Sequence, residues 1–355
     1  MEKIITIKDW SAGIADNPRV GFGKSIGVDT SSYAGCIKPN GRPVNKDSNL
    51  IPYWFTDNGT TVFAVGDNAT NGKIYKSTDG ESWSDCSSYG TAIFCGATLW
   101  KNYTFAYHAT AIDVVDSAGS ATASWSGLTL PVSTTYHPSL SSIDGNLYIG
   151  SAYKLSSIAE VSGQTFAPAS SGTYTATAAA LQLPANVTIR GIQDLGKYLM
   201  LLTDRGIYPW SRSAGTSYNI PLVPDMTVYV GKTIENKLYF YGKDKTASSP
   251  AIYVTDGVNI EKLKDIPLYL FDYQTNGINA LIPTQEAITY QDGNLLIMTG
   301  IGVIGYNIKD GTLFIDNLGS VGDAGTGYYR DWETDRKSTR LNSSHSAKSR
   351  MPSSA

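Results

Sequence analysis

Short runs of apolar residues recur along the chain at intervals of 40 to 57 residues. The six runs begin at residues 61, 102, 146, 197, 237 and 294, and they read TVFAVG, NYTFAY, NLYIGS, KYLMLL, KLYFYG and NLLIMT. Their β-branched and aromatic content favours strands. Three of the runs follow related turns, IDGN, IENK and QDGN, whose Asp-Gly and Glu-Asn pairs suit the positive φ angles of a tight hairpin.

This spacing, with about four strands per unit, is typical of a β-propeller. A single blade cannot bury both faces of its sheet, so blades stack around an axis. The sequence therefore predicts an all-β protein with a β-propeller of six or seven blades over residues 49–329, the last blade being incomplete. Residues 1–48 are expected to form an N-terminal strand and an irregular arm. The strand KIITIKDW (3–10) is a candidate to complete the last blade.

One turn carries a recognisable motif, in IYKSTDGESW (74–83). It resembles the Asp-box of sialidase-like propellers, with one residue fewer than the family pattern between Ser77 and Trp83. The resemblance implies a structural turn between the last two strands of a blade. In that turn Asp79 caps backbone amides, Gly80 takes the special backbone dihedral and Trp83 packs on the blade.

A degenerate copy of the same motif lies in IYVTDGVNI (252–260), where Asp256 and Gly257 occupy the Asp-Gly positions. The shared feature is an Ile-Tyr strand followed by a Thr-Asp-Gly turn. Both copies concern the architecture of the blades and say little about chemistry.

The composition fits strands and turns, with 35 Gly and 23 Tyr against 3 His and 5 Met. The opening MEKIITIKDWSAG has no apolar run of signal-peptide length. No stretch approaches the roughly 18 apolar residues of a membrane span. The sequence thus predicts neither a secretion signal nor a membrane span, and the odd count of three cysteines suggests free thiols.

The last residues have no strand or helix pattern. DRKSTRLNSSH (335–345) and SRMPSSA (349–355) resemble the in-frame translation of the two fixed blocks of a sequencing-library adapter, with a barcode-sized gap between them. We therefore expect residues 330–355 to be a non-native tail, and the gene to come from environmental DNA. Six of the 28 basic and three of the 31 acidic residues lie in this tail, which leaves a net charge of −6 over residues 1–329. An acidic body argues against a nucleic-acid partner.

Enzyme motifs occur without the context that they need. GIGVIG (300–305) matches G-x-G-x-x-G, but the sequence after it predicts two strands where a dinucleotide site requires a helix. Ser25 lies in GKSIG without the strand and helix of a nucleophile elbow. Outside the tail the histidines are His108 and His137, and no metal-ligand spacing is present. We predict no catalytic, cofactor-binding or metal-binding residue.

A sialidase-type glycosidase is the main enzymatic alternative, because that family combines a propeller with an arginine triad and a Tyr/Glu pair. None of the five arginines in residues 1–329 lies in an Arg-Ile-Pro motif. Tryptophans are candidates for stacking on sugars, but blade packing is the favoured role for each of them. The residues concerned are Trp54, Trp83, Trp100, Trp125 and Trp210.

The N-terminal residues give the last indication. IKDWSAGIADNP (7–18) and VGFGKSIGVDTSSYAGCIKPNGRPVN (20–45) resemble the opening of certain tailed-phage virion proteins that continue into a propeller. The resemblance implies a non-enzymatic structural or host-recognition component of a phage virion, assembled in the host cytoplasm. Its expected partners are other virion proteins or a surface glycan or protein. The alternatives are a sialidase-like or other carbohydrate-active glycoside hydrolase, and a cellular carbohydrate- or protein-binding propeller.

Overall fold

The computed structural model describes a large part of the chain as strands and turns. The described residues are 28–29, 38–39, 51–67, 71–80, 82–87, 89–90, 94–108, 111–130, 140–196, 198–211, 220–266, 288–291, 293–299 and 302–316. Within these ranges there are 25 strands and one 3-10 turn, Ser171–Thr173. The predicted all-β class is therefore confirmed.

Six antiparallel sheets follow one another along the chain, and within each sheet the spatial order of the strands is their order in the sequence. Each sheet is one blade of a propeller. Blade 1 comprises β3 (Ile51–Asp57), β4 (Val62–Asp67), β5 (Gly72–Ser77) and β6 (Ser84–Asp85). Blade 2 comprises β7 (Phe94–Trp100), β8 (Tyr103–His108), β9 (Ala111–Val115) and β10 (Ala121–Thr122). Blade 3 comprises β11 (Leu140–Ile143), β12 (Asn146–Ser151), β13 (Lys154–Glu160) and β14 (Tyr174–Gln182).

Blades 4 to 6 continue the same order, with three strands in the described part of blade 4. Blade 4 comprises β15 (Ile189–Leu195), β16 (Tyr198–Thr203) and β17 (Gly206–Trp210). Blade 5 comprises β18 (Met226–Ile234), β19 (Lys237–Asp244), β20 (Ala251–Thr255) and β21 (Ile260–Asp265). Blade 6 comprises β22 (Ile288–Gln291), β23 (Asn294–Thr299), β24 (Gly302–Asn307) and β25 (Leu313–Asp316). The sequence left the blade count at six or seven, and the described residues form six blades.

All six predicted runs are the second strand of a blade, and each begins at the predicted residue or one residue later. Two of the three related turns before them, IDGN and IENK, have the backbone that the sequence predicts. Asp144 and Gly145 have φ angles of 48° and 73°, and Glu235 and Asn236 have φ angles of 48° and 60°. Positive φ at both central positions identifies a type I′ turn, which matches the twist of the strands that it joins.

The core consists of five clusters of buried apolar side chains, each lying between two consecutive blades. Alternation along the strands builds these interfaces, because successive side chains point to opposite faces of a sheet. In blade 1, for example, Phe63, Val65 and Ile74 pack against Phe94 and Val115 of blade 2. The first strands of consecutive blades lie next to one another, from β3 and β7 through to β18 and β22.

Antiparallel pairing places two kinds of turn on the same face of the propeller. The turns between first and second strands and those between third and fourth strands all lie on this face, which we call the hairpin face. The connections between second and third strands lie on the opposite face. The motif-bearing turns at residues 77–84 and 255–260 join third to fourth strands, so both lie on the hairpin face.

A short ladder precedes blade 1. Strand β1 (Val28–Asp29) pairs antiparallel with β2 (Lys38–Pro39), and β1 lies beside β25 of blade 6. The segment 11–48, expected to be irregular, thus contains one regular pairing. The predicted strand 3–10 and the tail 330–355 lie outside the described residues.

Candidate functional site on the hairpin face

The turn at residues 77–83 is closed by its own side chains. Ser77 is buried, and its Oγ accepts hydrogen bonds from the backbone N–H of Gly80 at 2.8 Å and of Asp79 at 3.3 Å. The hydroxyl of Ser77 donates to Asp79 Oδ1 at 2.9 Å, and the same carboxylate oxygen accepts from the N–H of Ser82 at 2.7 Å. Gly80 has a φ of 73°, a conformation that favours glycine. The turn is therefore rigid and preorganised.

Trp83 follows this turn and folds back over the sheet of blade 1. It is half-buried, and its ring meets the ring of Phe55 edge to face, with the centroids 6.3 Å apart. Phe55 alternates with Trp54 and Thr56, and Thr56 bonds to Thr104 of blade 2. The Phe55–Trp83 pair therefore lies on the face of blade 1 that points away from blade 2.

The turn at residues 255–260 occupies the equivalent position in blade 5. The hydroxyl of Thr255 accepts from the N–H of Gly257 at 3.0 Å, and Asp256 Oδ1 accepts from Val258 N at 2.9 Å and Asn259 N at 2.7 Å. These amides of Asn259 and Val258 hold the pKa of the Asp256 carboxyl below its usual value. Gly257 has a φ of 93°. The two predicted copies thus belong to different blades, blade 1 and blade 5.

Two further turns on the hairpin face are built in the same way, and the sequence motif did not reveal them. In blade 2, Asp116 Oδ1 accepts from the N–H of Ala118 at 2.9 Å and of Ser120 at 2.8 Å. In blade 6, Asn307 Oδ1 accepts from the N–H of Lys309 at 3.0 Å and of Asp310 at 2.9 Å. A polar acceptor at the end of a strand, followed by glycine within three or four residues, is the signal that would have found them.

A shallow cleft of about 170 Å³ opens on the hairpin face between blades 1 and 2. Lys76 at its wall donates to the backbone oxygen of Ala118, which ties the two blades together. The other polar side chains that line it are hydroxyls, from Thr61, Ser77, Thr78, Ser82, Ser84 and Ser117. Hydroxyls donate and accept hydrogen bonds without titrating near neutral pH, so this lining suits a neutral polar contact.

A carboxylate and a histidine are buried together inside blade 2. Asp113 is completely buried; it accepts from the N–H of Gly90 and of Ser124, each at 2.7 Å. The ring nitrogen Nε2 of His108 lies 3.6 Å from Asp113 Oδ1. The Asp113 carboxylate therefore links the connection before β7, which contains Gly90, to the segment after β10, which contains Ser124. This role is structural. His108 is buried at the end of β8.

Four of the five candidate tryptophans are core residues. Trp54, Trp100, Trp125 and Trp210 are buried. The indole N–H groups of Trp100 and Trp125 donate to backbone oxygens of the next blade, at 2.8 Å in both cases. Burial removes these four rings from contact with a sugar, and Trp83 is the one of the five that the structure leaves half-buried.

The other candidate motifs and reactive side chains have neighbours that indicate a role in the fold. Gly302 and Gly305 lie in β24, and β25 follows them where a dinucleotide site would need a helix. Burial raises the pKa of the Cys86 thiol to about 12, which makes it a poor nucleophile. Arg190 lies over the ring of Tyr229, 5.8 Å from its centroid.

Within the ranges that the structure describes, no three His, Cys, Asp or Glu side chains come together as a metal site requires. In the same ranges, no helix has the length and apolar character needed to cross a membrane.

Comparison with known proteins supports the fold. No protein-family model and no curated protein matches the chain. Among solved structures, a catalytically inactive virginiamycin B lyase from Staphylococcus aureus with quinupristin is 13% identical, with a TM-score of 0.51, and the match covers 78% of this chain and 88% of that one.

A second solved structure, the extracellular domain of a proposed hybrid two-component system from Bacteroides thetaiotaomicron, is also 13% identical. Its TM-score is 0.51, and the match covers 75% of this chain and 33% of that one. At this identity the similarity shows a shared propeller architecture and leaves the function of this chain to be argued from its own residues.

Proposed function

We propose that this chain is a non-enzymatic β-propeller of a tailed-phage virion, and that it acts through contacts made by the hairpin face. The observation that carries the proposal is the recurring construction of the turns on that face. In blades 1, 2, 5 and 6 the turn between the third and fourth strands is held by a side-chain oxygen that accepts backbone N–H groups.

Rigid turns favour contact because little conformational freedom is lost when a partner binds. Each rotamer-rich side chain that becomes immobilised costs about 0.5–1.5 kcal/mol on association, and the ordering of loops adds to this cost. In a symmetric particle many copies act together, so that weak individual contacts give strong overall attachment. A face of short, preorganised turns is suited to this kind of binding.

Three acidic residues on this face support the same proposal. The carboxylates of Asp79, Asp116 and Asp256 each accept backbone N–H groups within their own turns. A glycosidase needs two carboxylates that flank the scissile bond at a fixed separation. Here each carboxylate has a structural partner, and the three belong to different blades.

The N-terminal resemblance of residues 7–45 supports the assignment to a phage particle. Mass spectrometry of tailed-phage particles, banded by density from the source sample, tests it. We expect peptides of this chain to follow the capsid protein through the gradient at a constant ratio. Peptides that remain in the soluble host fraction, together with release of reducing sugar by the purified chain, would favour the glycoside hydrolase and contradict the proposal.

A further inference from the structure

One carboxylate at the hairpin face is not used by its own turn. Asp194 is the second-to-last residue of β15, directly before the turn that leads to β16 on that face. The carboxylates of Asp79, Asp116 and Asp256 each accept backbone N–H groups within their turns. Among the residues that the structure describes, Asp194 Oδ1 is buried without a hydrogen-bond partner. The fold therefore does not use this oxygen of Asp194.

The two oxygens of the Asp194 carboxylate differ in their surroundings. Oδ1 is shielded from solvent, whereas the residue as a whole is half-buried, so Oδ2 is the oxygen that solvent and a ligand can reach. No lysine or arginine in the described ranges forms an ion pair with this carboxylate. A carboxylate that has lost part of its hydration and gained no donor is destabilised, and buried charges are usually paired. These surroundings favour a cationic partner.

The side chains beside Asp194 are apolar and aromatic. Asp194 pairs with Leu199, and Leu199 pairs with Trp210, so the three form a row across one face of blade 4. Leu199, Trp210 and Tyr148 of blade 3 belong to one buried cluster, which places this row at the interface between blades 3 and 4. Burial raises the pKa of the Tyr148 phenol, and the nearby negative charge of Asp194 adds to this effect. An ion pair beside these apolar side chains is screened less than one on an open surface.

We propose that Asp194 binds a cationic side chain, from an arginine or a lysine, that a protein partner presents to the hairpin face. A guanidinium or an ammonium group carries only hydrogen-bond donors, and an ionised carboxylate carries only acceptors. The net charge of −6 over residues 1–329 attracts a cationic partner over a longer distance. This inference rests on the proposed function, because it names the chemistry of one contact on the hairpin face.

The burial of the aromatic rings favours a side chain over a sugar. An amino sugar also carries an ammonium group, but a sugar ring needs an exposed aromatic face on which to stack. Tyr148 is 3% exposed and Trp210 is 6% exposed. A slender side chain reaches Oδ2 of Asp194 without such a face, so it is the ligand that these surroundings favour.

Chromatography of the full-length chain on immobilised arginine amide tests the inference, because a dense matrix retains even weakly binding proteins. Asp194→Asn is compared with Asp225→Asn, whose side chain is 76% exposed beside Lys245. Both substitutions remove one negative charge, so the two variants have the same net charge. We expect the retention of Asp194→Asn to be about threefold lower than that of the parent chain, the effect of one partly screened ion pair. The retention of Asp225→Asn should stay close to that of the parent.

Two further matrices identify the ligand. Citrulline amide has the shape of arginine amide without its charge, and it should retain the parent chain and Asp194→Asn equally. Immobilised glucosamine presents an ammonium group on a sugar, and it should retain Asp194→Asn and Asp225→Asn equally. Retention that depends on Asp194 on the glucosamine matrix alone would overturn the choice of a protein side chain.

Thermal unfolding separates a binding role of Asp194 from a structural one. Because Oδ1 has no donor among the described residues, Asp194→Asn should leave the melting temperature unchanged or raise it. A lower melting temperature would show that the fold needs the carboxylate, and the inference would then be wrong.

The inference and the proposed function fail in different ways. Equal retention of Asp194→Asn and Asp225→Asn on arginine amide would overturn the inference alone, because hydrogen exchange in the assembled particle tests the hairpin face separately. Retention that depends on Asp194, together with unchanged exchange on that face in the particle, would support the cation site and contradict the proposed function.

Discussion

Asp113 provides the most demanding test of how the blades are joined. Its completely buried carboxylate accepts two backbone N–H groups, from Gly90 and Ser124, at 2.7 Å each. A hydrogen bond to a charged group contributes about 1.5–3 kcal/mol, so the two together contribute about 3–6 kcal/mol if both amides lose every partner. Ser124 lies in an exposed segment and Gly90 is half-buried, so water can reach both amides in part. We expect Asp113→Ala to lower the free energy of unfolding by about 3 kcal/mol.

The comparison of Asp113→Asn with Asp116→Ala separates the loss of hydrogen bonds from other causes of destabilisation. An asparagine keeps one acceptor oxygen, but its NH₂ group faces the second N–H donor, so we expect about 2 kcal/mol of destabilisation at position 113. Asp116 also accepts two amides, in a turn that water reaches, so Asp116→Ala should cost about 1 kcal/mol.

Urea denaturation followed by tryptophan fluorescence measures these differences. A lower midpoint at an unchanged slope reports a change of stability alone. The reasoning is wrong if Asp113→Ala costs no more than Asp116→Ala. It is also wrong if Asp113→Asn is as stable as the parent chain, because one oxygen would then be sufficient for two donors.

Three further predictions concern the turns and the tail. Ser77→Ala removes a buried acceptor of two amides and should lower stability by about 1–2 kcal/mol in the same urea assay, whereas Thr78→Ala next to it should change stability by less than about 0.5 kcal/mol. Because its turn amides lower the folded pKa of Asp256, this carboxyl stabilises the fold above its unfolded pKa and loses that contribution as the pH falls through the folded value. The melting temperature of Asp256→Asn should therefore fall less than that of the parent chain between about pH 5 and pH 2, and equal slopes would contradict the assignment. Deleting residues 335–355 should leave both the circular dichroism spectrum and the melting temperature unchanged, and a loss of folding would show that this segment is part of the protein.

The repeat in the sequence is sufficient to predict the fold, because the second strands of blades 1 to 5 are buried on both faces. Runs such as NLYIGS and KLYFYG are therefore apolar without interruption, and they stand out from the surrounding residues. The outer strands leave no such signal. β6 and β10 contain two residues each, Ser-Asp and Ala-Thr, and no hydrophobic pattern can identify them.

The sequence predicted the candidate site only in part. The sequence of the turn at residues 77–83 resembles a known motif, but Asp116 and Asn307 hold their turns with another spacing between acceptor and glycine. The partnership of Asp113 with Gly90 spans 23 residues and links a strand of blade 2 to the connection before that blade, so it depends on the tertiary fold. The exposure of Phe55 depends in the same way on which blade face lies next to it.

The proposal that the hairpin face makes the contacts is tested most directly by amide hydrogen exchange, comparing the chain in the assembled particle with the free chain. We expect slower exchange on assembly at residues 77–84, 116–120, 255–260 and 307–312, which lie in four of the turns of that face. Protection at the connections between second and third strands, as at 204–205 and 245–250, would place the contacts on the opposite face. That result, or unchanged exchange in all of these segments, would contradict the account.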